Sequence, residues 1–197
     1  MVSRLLALIL ATGVAHAAEL EGVKLADRVQ VDGQALELNG MALRTRFFFK
    51  VYVAGLYLPE KVTSAQAALE APGAKRIVLV MMRDADAEQF CESIGAGLRA
   101  NHSEAELERV KTQVDALMAK IRLIGEARKG TTIVLDYLPS LGATMLEVDG
   151  VARGEPMAGD AFYDALLRIW LGERPAQADL KRALLGQPEE ESKIVRE

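Results

Sequence analysis

The chain has 197 residues, with 24 Lys and Arg against 28 Asp and Glu and a formal net charge of −4 at pH 7, so it lacks the basic footprint of a nucleic-acid binder. One cysteine, Cys91, excludes an intrachain disulfide, and two histidines, His16 and His102, are too few for a clustered zinc site or a conventional Ser-His or Cys-His nucleophile pair unless His102 alone serves. Half of the residues are hydrophobic, enough to build the core of one domain.

The N-terminus has a basic Arg4, an apolar run from Leu5 to Val14, and Ala15-His16-Ala17 ahead of Ala18. This is the pattern of a secretory signal peptide, with cleavage expected after Ala17 and a periplasmic or secreted product. The apolar run is shorter than the roughly 20 residues a membrane-spanning helix needs, and no later run is long enough. Residues 18–197 are expected to form a single domain, with about 188–197 a polar tail.

VQVDGQALELNG carries two turn signals, Asp32-Gly33 and Asn39-Gly40, which predict strand, hairpin, strand and turn. LRTRFFFKVYVAGLYLP is rich in aromatic and β-branched residues and predicts one long strand over 43–58. Period two puts Arg44, Arg46, Lys50 and Tyr52 on a face with Phe48, Ala54 and Leu56. That face is either solvated or the wall of a polar-headed pocket. Exposed cations also protect edge strands, which is the plainer reading of Arg46 and Lys50.

Thr63 or Ser64 caps a short helix through AQAALEA, ended by Pro72-Gly73, and RIVLVMM over 76–82 predicts a buried strand. Asp84 or Asp86 caps the helix AEQFCESIGAGLRA, where Cys91 reads as a small buried hydrophobe. Ser103 and Glu106 form a capping box for a helix of about twenty residues. Its stripe Leu107, Val110, Val114, Leu117, Ile121 and Ile124 fits packing on the protein's own sheet or a dimer seam. TTIVLDYLP and ATMLEVDGVARGEP predict strands, the second turning at Asp149-Gly150, and two helices follow in GDAFYDALLRIWLG and QADLKRALLG. Phe162 and Trp170, large aromatics at helical spacing, fit core packing. Strands in two batches around a helical middle indicate an α+β fold, with a large antiparallel sheet and a layer of helices on one face, an open-faced sandwich.

NGMALRTRFFFKVYVAGLYLP, the helical middle and GDAFYDALLRIWLGERPAQADLKRALLG together resemble the chalcone isomerase family, most closely its bacterial, exported, chalcone-isomerase-like branch. The resemblance implies a chalcone-isomerase-like fold with an apolar cleft between sheet and helices. The family includes enzymes that close chalcones to flavanones, non-catalytic relatives and fatty-acid-binding proteins. Its key arginine, which follows a glycine turn and holds an oxyanion, corresponds to Arg44, with Arg46 two residues away able to exchange roles; Tyr52 stands at a further polar position. Departures count against chalcone chemistry. The enzymes use a tyrosine and an asparagine from the helical middle, whereas no tyrosine lies between Val78 and Asp136 and Asn101 sits near a helix end. The Thr or Ser contact of the last helix corresponds to Ile169, beside Trp170.

The resemblance therefore implies a non-catalytic binder of a fatty acid or similar amphipathic acid. Arg44 and Tyr52 would hold the head group, and Phe48, Ala54, Leu56, Ile169 and Trp170 would lie along the apolar cleft. An intramolecular lyase or isomerase of a chalcone-like or other enolisable phenolic substrate, with Arg44 catalytic, is the second reading. A partner-binding accessory protein is the third. No metal or other cofactor is expected.

Overall fold

The computed structural model describes residues 17–187. Apart from Ala17, the expected signal peptide lies outside them, as does the expected polar tail. The chain opens on a hairpin of β1 (Ala17–Leu20) and β2 (Val23–Ala26), which has no counterpart among the predicted elements. β3 (Arg28–Val31) turns at Asp32-Gly33, both with left-handed backbone (φ 50° and 74°), into β4 (Gln34–Arg46), as the Asp-Gly signal predicts.

The single strand expected over 43–58 is instead the second half of a hairpin. β4 runs to Arg46, the chain reverses at Phe47-Phe48, and β5 (Phe49–Leu58) returns antiparallel. Neither phenylalanine is a turn former, and Phe47 takes φ 55°. The turn is imposed by strand pairing that runs from Glu37 opposite Leu58 to Arg46 opposite Phe49.

Ser64 caps α1 (Ala65–Glu70), and β6 (Lys75–Met81) follows. After the short β7 (Ala85–Asp86), Asp86 caps α2 (Ala87–Asn101) by accepting from the Gln89 amide at 2.8 Å. The Ser103–Glu106 capping box starts α3 (Glu104–Arg109). The expected twenty-residue helix breaks at Val110 (φ −110°, ψ 8°), and α4 (Lys111–Ile124) continues beyond it. Its apolar stripe still packs inward, with Val110, Leu117 and Ile121 buried, so it faces the protein's own core. β8 (Glu126–Ala127) pairs with β7; β9 (Thr132–Leu138) and β10 (Ala143–Val148) pair with each other, and β10 turns at Asp149-Gly150 into β11 (Val151–Ala152). β12 (Met157–Ala158) leads to α5 (Asp160–Leu171), ended by Gly172, and α6 (Ala178–Leu184).

The main sheet has the order β11-β10-β9-β6-β5-β4-β3, antiparallel throughout, with β12 also on β10. The helices cover one face through a core that includes Ala54, Leu56, Leu79, Ile133, Leu146, Leu166 and Trp170. The N-terminal strands cover part of the other face, around Leu25, Leu36, Leu38 and Tyr57. Gly55 makes room for them, since a Cβ there would lie 2.4 Å from Leu25 Cδ1.

Asn39-Gly40 is not the expected turn but a bulge inside β4. Leu38 pairs with Tyr57 and Gly40 with Leu56, leaving Asn39 as the extra residue. Leu36 and Leu38 belong to the outer cluster, whereas Ala42, an even number of residues further on, belongs to the helix-side core. The bulge has switched the face. The buried Asn39 side chain holds it in place, donating to the Leu184 carbonyl and accepting from the Val62 amide, both at 2.7 Å. Gly40 lets the end of α6 approach, because a Cβ there would lie 2.1 Å from the Ala183 carbonyl oxygen.

Asn39→Ala orphans that carbonyl and that amide, each at a cost of about 1 to 3 kcal/mol when water cannot replace the partner. The expected outcome is a clearly lower urea midpoint with an unchanged dependence on denaturant, measured by equilibrium unfolding.

Candidate functional site

The bulge brings Arg44 to the helix side of the sheet, where it pairs directly across the hairpin with Tyr52. Cross-strand partners point to the same face, so the two side chains are neighbours. The expectation that they share a face holds, but through strand pairing and not through even spacing along one strand. A second irregularity follows at once: Arg44 pairs with Tyr52 and Thr45 with Lys50, so Val51 is the extra residue there.

Arg44 is half-buried. Its Nη1 donates to the Thr45 carbonyl at 2.8 Å and to Gln177 Oε1 at 2.9 Å. Gln177, immediately before α6, is spread between strand and helix. Its oxygen also accepts from the Thr45 amide at 2.9 Å, and its Nε2 donates to Asp179 at 2.9 Å. Among the described residues no carboxylate forms an ion pair with Arg44.

Tyr52 is 9% exposed, and its hydroxyl oxygen accepts from Trp170 Nε1 at 2.9 Å. Among the described residues its own proton is donated to no acceptor. Burial pushes the Tyr52 hydroxyl above its ordinary pKa, while the Trp170 hydrogen bond and the Arg44 charge pull the other way. At neutral pH the group is a phenol, a donor set beside a guanidinium.

The remaining predicted residues divide. Ala54 and Leu56 are fully buried under the helices, and Trp170 reaches the sheet through Tyr52. Ile169 is buried where α5 meets α2: a Cβ on Gly97 would lie 2.7 Å from Ile169 Cγ2, so glycine sets that close approach. Phe48 is displaced. It sits at the hairpin turn, 99% exposed, and lines nothing together with Ala54 and Leu56. Arg46 is exposed, with its guanidinium 6.0 Å from the centre of the Phe47 ring. Lys50 is paired with Glu21 on the N-terminal hairpin. β3 pairs with β4 only from Gln34 to Glu37 and β6 with β5 only from Tyr52 to Tyr57, so Arg46 and Lys50 stand on unpaired margins of the projecting hairpin end, where exposed cations discourage edge-to-edge pairing. Asn101 is occupied by backbone, donating to the Gly97 and Arg174 carbonyls and accepting from the Arg174 amide, all at 2.9 Å. It ties the end of α2 to the segment after α5. Cys91 is buried, and that burial raises its thiol pKa.

Gln177 was not singled out in the sequence. A glutamine before a helix carries no local mark of contact with a strand 133 residues earlier. The interface between helices and sheet is filled at Tyr52, Ala54 and Leu56. An apolar crevice of ≈ 20 Å³ remains further along it, between Phe90, Ile121, Ile124, Ala127, Ile133 and Leu146. A separate, larger groove of ≈ 660 Å³ runs past Asp27, Arg28, Glu37, Asn39 and Lys61, and none of the predicted site residues lines it.

A curled antiparallel sheet under a helical layer, with a guanidinium on the long hairpin at their junction, defines a chalcone-isomerase-like fold. The profile described as chalcone isomerase-like matches residues 17–186, and the chain belongs to that family. Among solved structures, the Arabidopsis thaliana fatty-acid binding protein superimposes with a TM-score of 0.67 at 14% identity, covering 86% of this chain and 96% of that one. No curated protein matches in sequence.

All four tyrosines have raised pKa values, Tyr57 and Tyr137 to about 12, with burial the first cause in each. Tyr137 is further raised by donating to Asp160 at 2.8 Å. The folded state therefore keeps protons that the unfolded chain loses above its ordinary value near 10. This stabilisation is complete below about pH 10 and is lost as pH climbs towards 12. Thermal unfolding against pH is expected to be insensitive to these groups up to about 10 and to fall steeply beyond it, with tyrosinate absorbance appearing together with unfolding.

Proposed function

We propose that the protein is a non-catalytic carrier of a fatty acid or similar amphipathic acid, bound between sheet and helices with its carboxylate at Arg44. The observation that carries this reading is the Arg44–Tyr52 pair: a half-buried guanidinium without a carboxylate partner among the described residues, beside a phenol whose proton is donated to none of them. A carboxylate in reach of both gains charge-assisted hydrogen bonds in a largely dehydrated setting. The Trp170 bond survives such binding, because it uses the phenol oxygen and leaves the proton free.

The acyl chain would run along the helix-side apolar layer toward the crevice on β9. Three strand spacings of about 4.8 Å separate β4 from β9, so the head-group position lies about 14 Å from the strand that contributes Ile133 to the crevice. Met81 and Leu79 lie in the same apolar layer between them. Occupancy requires the helices to lift off this layer, because the interface is filled near Tyr52. The likeness to the Arabidopsis fatty-acid binding protein supports the reading at the level of the fold. Export to the periplasm or exterior, in the manner of the bacterial branch, is part of the proposal and is supported by Arg4, the apolar run after it and the Ala15-His16-Ala17 step.

An isomerase built on the same pair would need a base. Burial holds the proton on Tyr52, which leaves the pair with donors only.

Native mass spectrometry of the wild type beside Arg44→Ala, followed by solvent extraction, tests the carrier reading. The wild type is expected to retain or take up a fatty acid. Losing charge-assisted hydrogen bonds worth about 1.5 to 3 kcal/mol should weaken binding in the variant by roughly tenfold to a hundredfold. A wild type that takes up no fatty acid, or a variant that binds as well, overturns it.

A further inference from the structure

Three consecutive phenylalanines at the β4–β5 turn take no part in the site or the core. Phe47, Phe48 and Phe49 are 85%, 99% and 58% exposed. They stand beyond the neighbouring strand, because β6 pairs with β5 only from Tyr52 to Tyr57. Folding buries little of Phe47 and Phe48 and less than half of Phe49. Phe47 also holds a left-handed backbone conformation, φ 55°, which a bulky side chain disfavours and which asparagine or glycine would adopt more readily. A contiguous apolar patch of this kind, kept in water at a position where other residues suit the fold better, marks a surface that something else covers.

The charge around the tip identifies the cover. The Arg83 guanidinium lies 4.8 Å from the centre of the Phe49 ring, and that of Arg46 lies 6.0 Å from the centre of the Phe47 ring. Among the described residues neither arginine is paired with a carboxylate. Lys50 adds a third cation, paired with Glu21. The chain as a whole is acidic, with a net charge of −4, so this basic collar is local. A convex aromatic tip with arginines at its base complements a bilayer bearing anionic head groups. The rings enter the head-group boundary while the guanidinium groups stay among the phosphates. A narrow projecting turn offers little of the broad surface that a stable protein interface needs.

We propose that the Phe47–Phe49 tip is a membrane-docking element that holds this protein peripherally on anionic bilayers. The proposal stands independently of any lipid at Arg44, although docking would bring the base of the same hairpin, where Arg44 lies, to the bilayer surface.

Flotation with vesicles tests it, using phosphatidylcholine with and without phosphatidylglycerol. The full-chain wild type is compared with Phe47→Asn/Phe48→Ser/Phe49→Ser and with Arg46→Glu/Arg83→Glu, all carrying the same N-terminus so that differences report the tip. Partitioning onto anionic vesicles is expected to fall by about tenfold or more in both variants and to weaken with added salt in the wild type. Melting temperatures should stay close to that of the wild type, because the altered side chains are largely exposed. Equal partitioning of wild type and triple variant, or none by the wild type at low salt, overturns the proposal. A lipid-free dimer that the triple variant dissociates also overturns it, and assigns the tip to self-association.

Discussion

One extra residue in β4 determines which side of the sheet the guanidinium reaches. Leu36 and Leu38 face the outer cluster, and strict alternation would send Ala42 and Arg44 after them. The bulge at Asn39 reverses the parity, so Ala42 enters the helix-side core and Arg44 comes to lie beside Tyr52. The bulge is held from the far end of the chain, through Leu184 at the end of α6. The residue before that helix, Gln177, accepts from Arg44 itself. A helix of seven residues thus sets both the face on which Arg44 emerges and the direction in which its guanidinium points.

What this junction can do follows from its hydrogen-bond inventory. Arg44 donates only, Trp170 donates to Tyr52, and the phenol retains its proton because burial disfavours the anion. Two donors converge where no described carboxylate answers them. On the carrier reading their complement would be an anion, and the apolar layer beside them would favour one with a hydrocarbon body. Because the interface is filled, such a ligand would compete with the protein's own side chains. Binding then includes the cost of parting the helices from the sheet, and a bound ligand would stabilise the parted form by mass action.

The features legible in the sequence are those fixed within a few residues. Asp32-Gly33 and Asp149-Gly150 turn where the dipeptides predict, and Ser64, Asp86 and the Ser103–Glu106 box start their helices, because each depends on φ values or on bonds spanning three residues. The alternation of Tyr52, Ala54 and Leu56 was legible as well. What was not legible depends on distant partners. Asn39-Gly40 has the same local chemistry as a hairpin turn, and only a bond to Leu184, 145 residues away, makes it a bulge. The first two strands depend on Leu25 fitting over Gly55. The turn at Phe47 opposes local preference altogether, so a reading built on preference runs straight through it.

That misread turn separates two arginines which the sequence leaves interchangeable. On one continuous strand Arg44 and Arg46 are equivalent, two residues apart on a shared face. In the hairpin they are not. Arg44 lies within reach of α6 and is engaged by Gln177, whereas Arg46 closes the turn opposite Phe49 and stands in water beside Phe47. A half-buried guanidinium met by neutral acceptors keeps its full charge available to an anion, at an interaction strength that bulk water would screen away. An exposed one suits phosphates at a surface, where many weak contacts act together. The same residue type is therefore suited to two different tasks by a shift of two positions along the hairpin, and it is the aromatic turn that creates the difference.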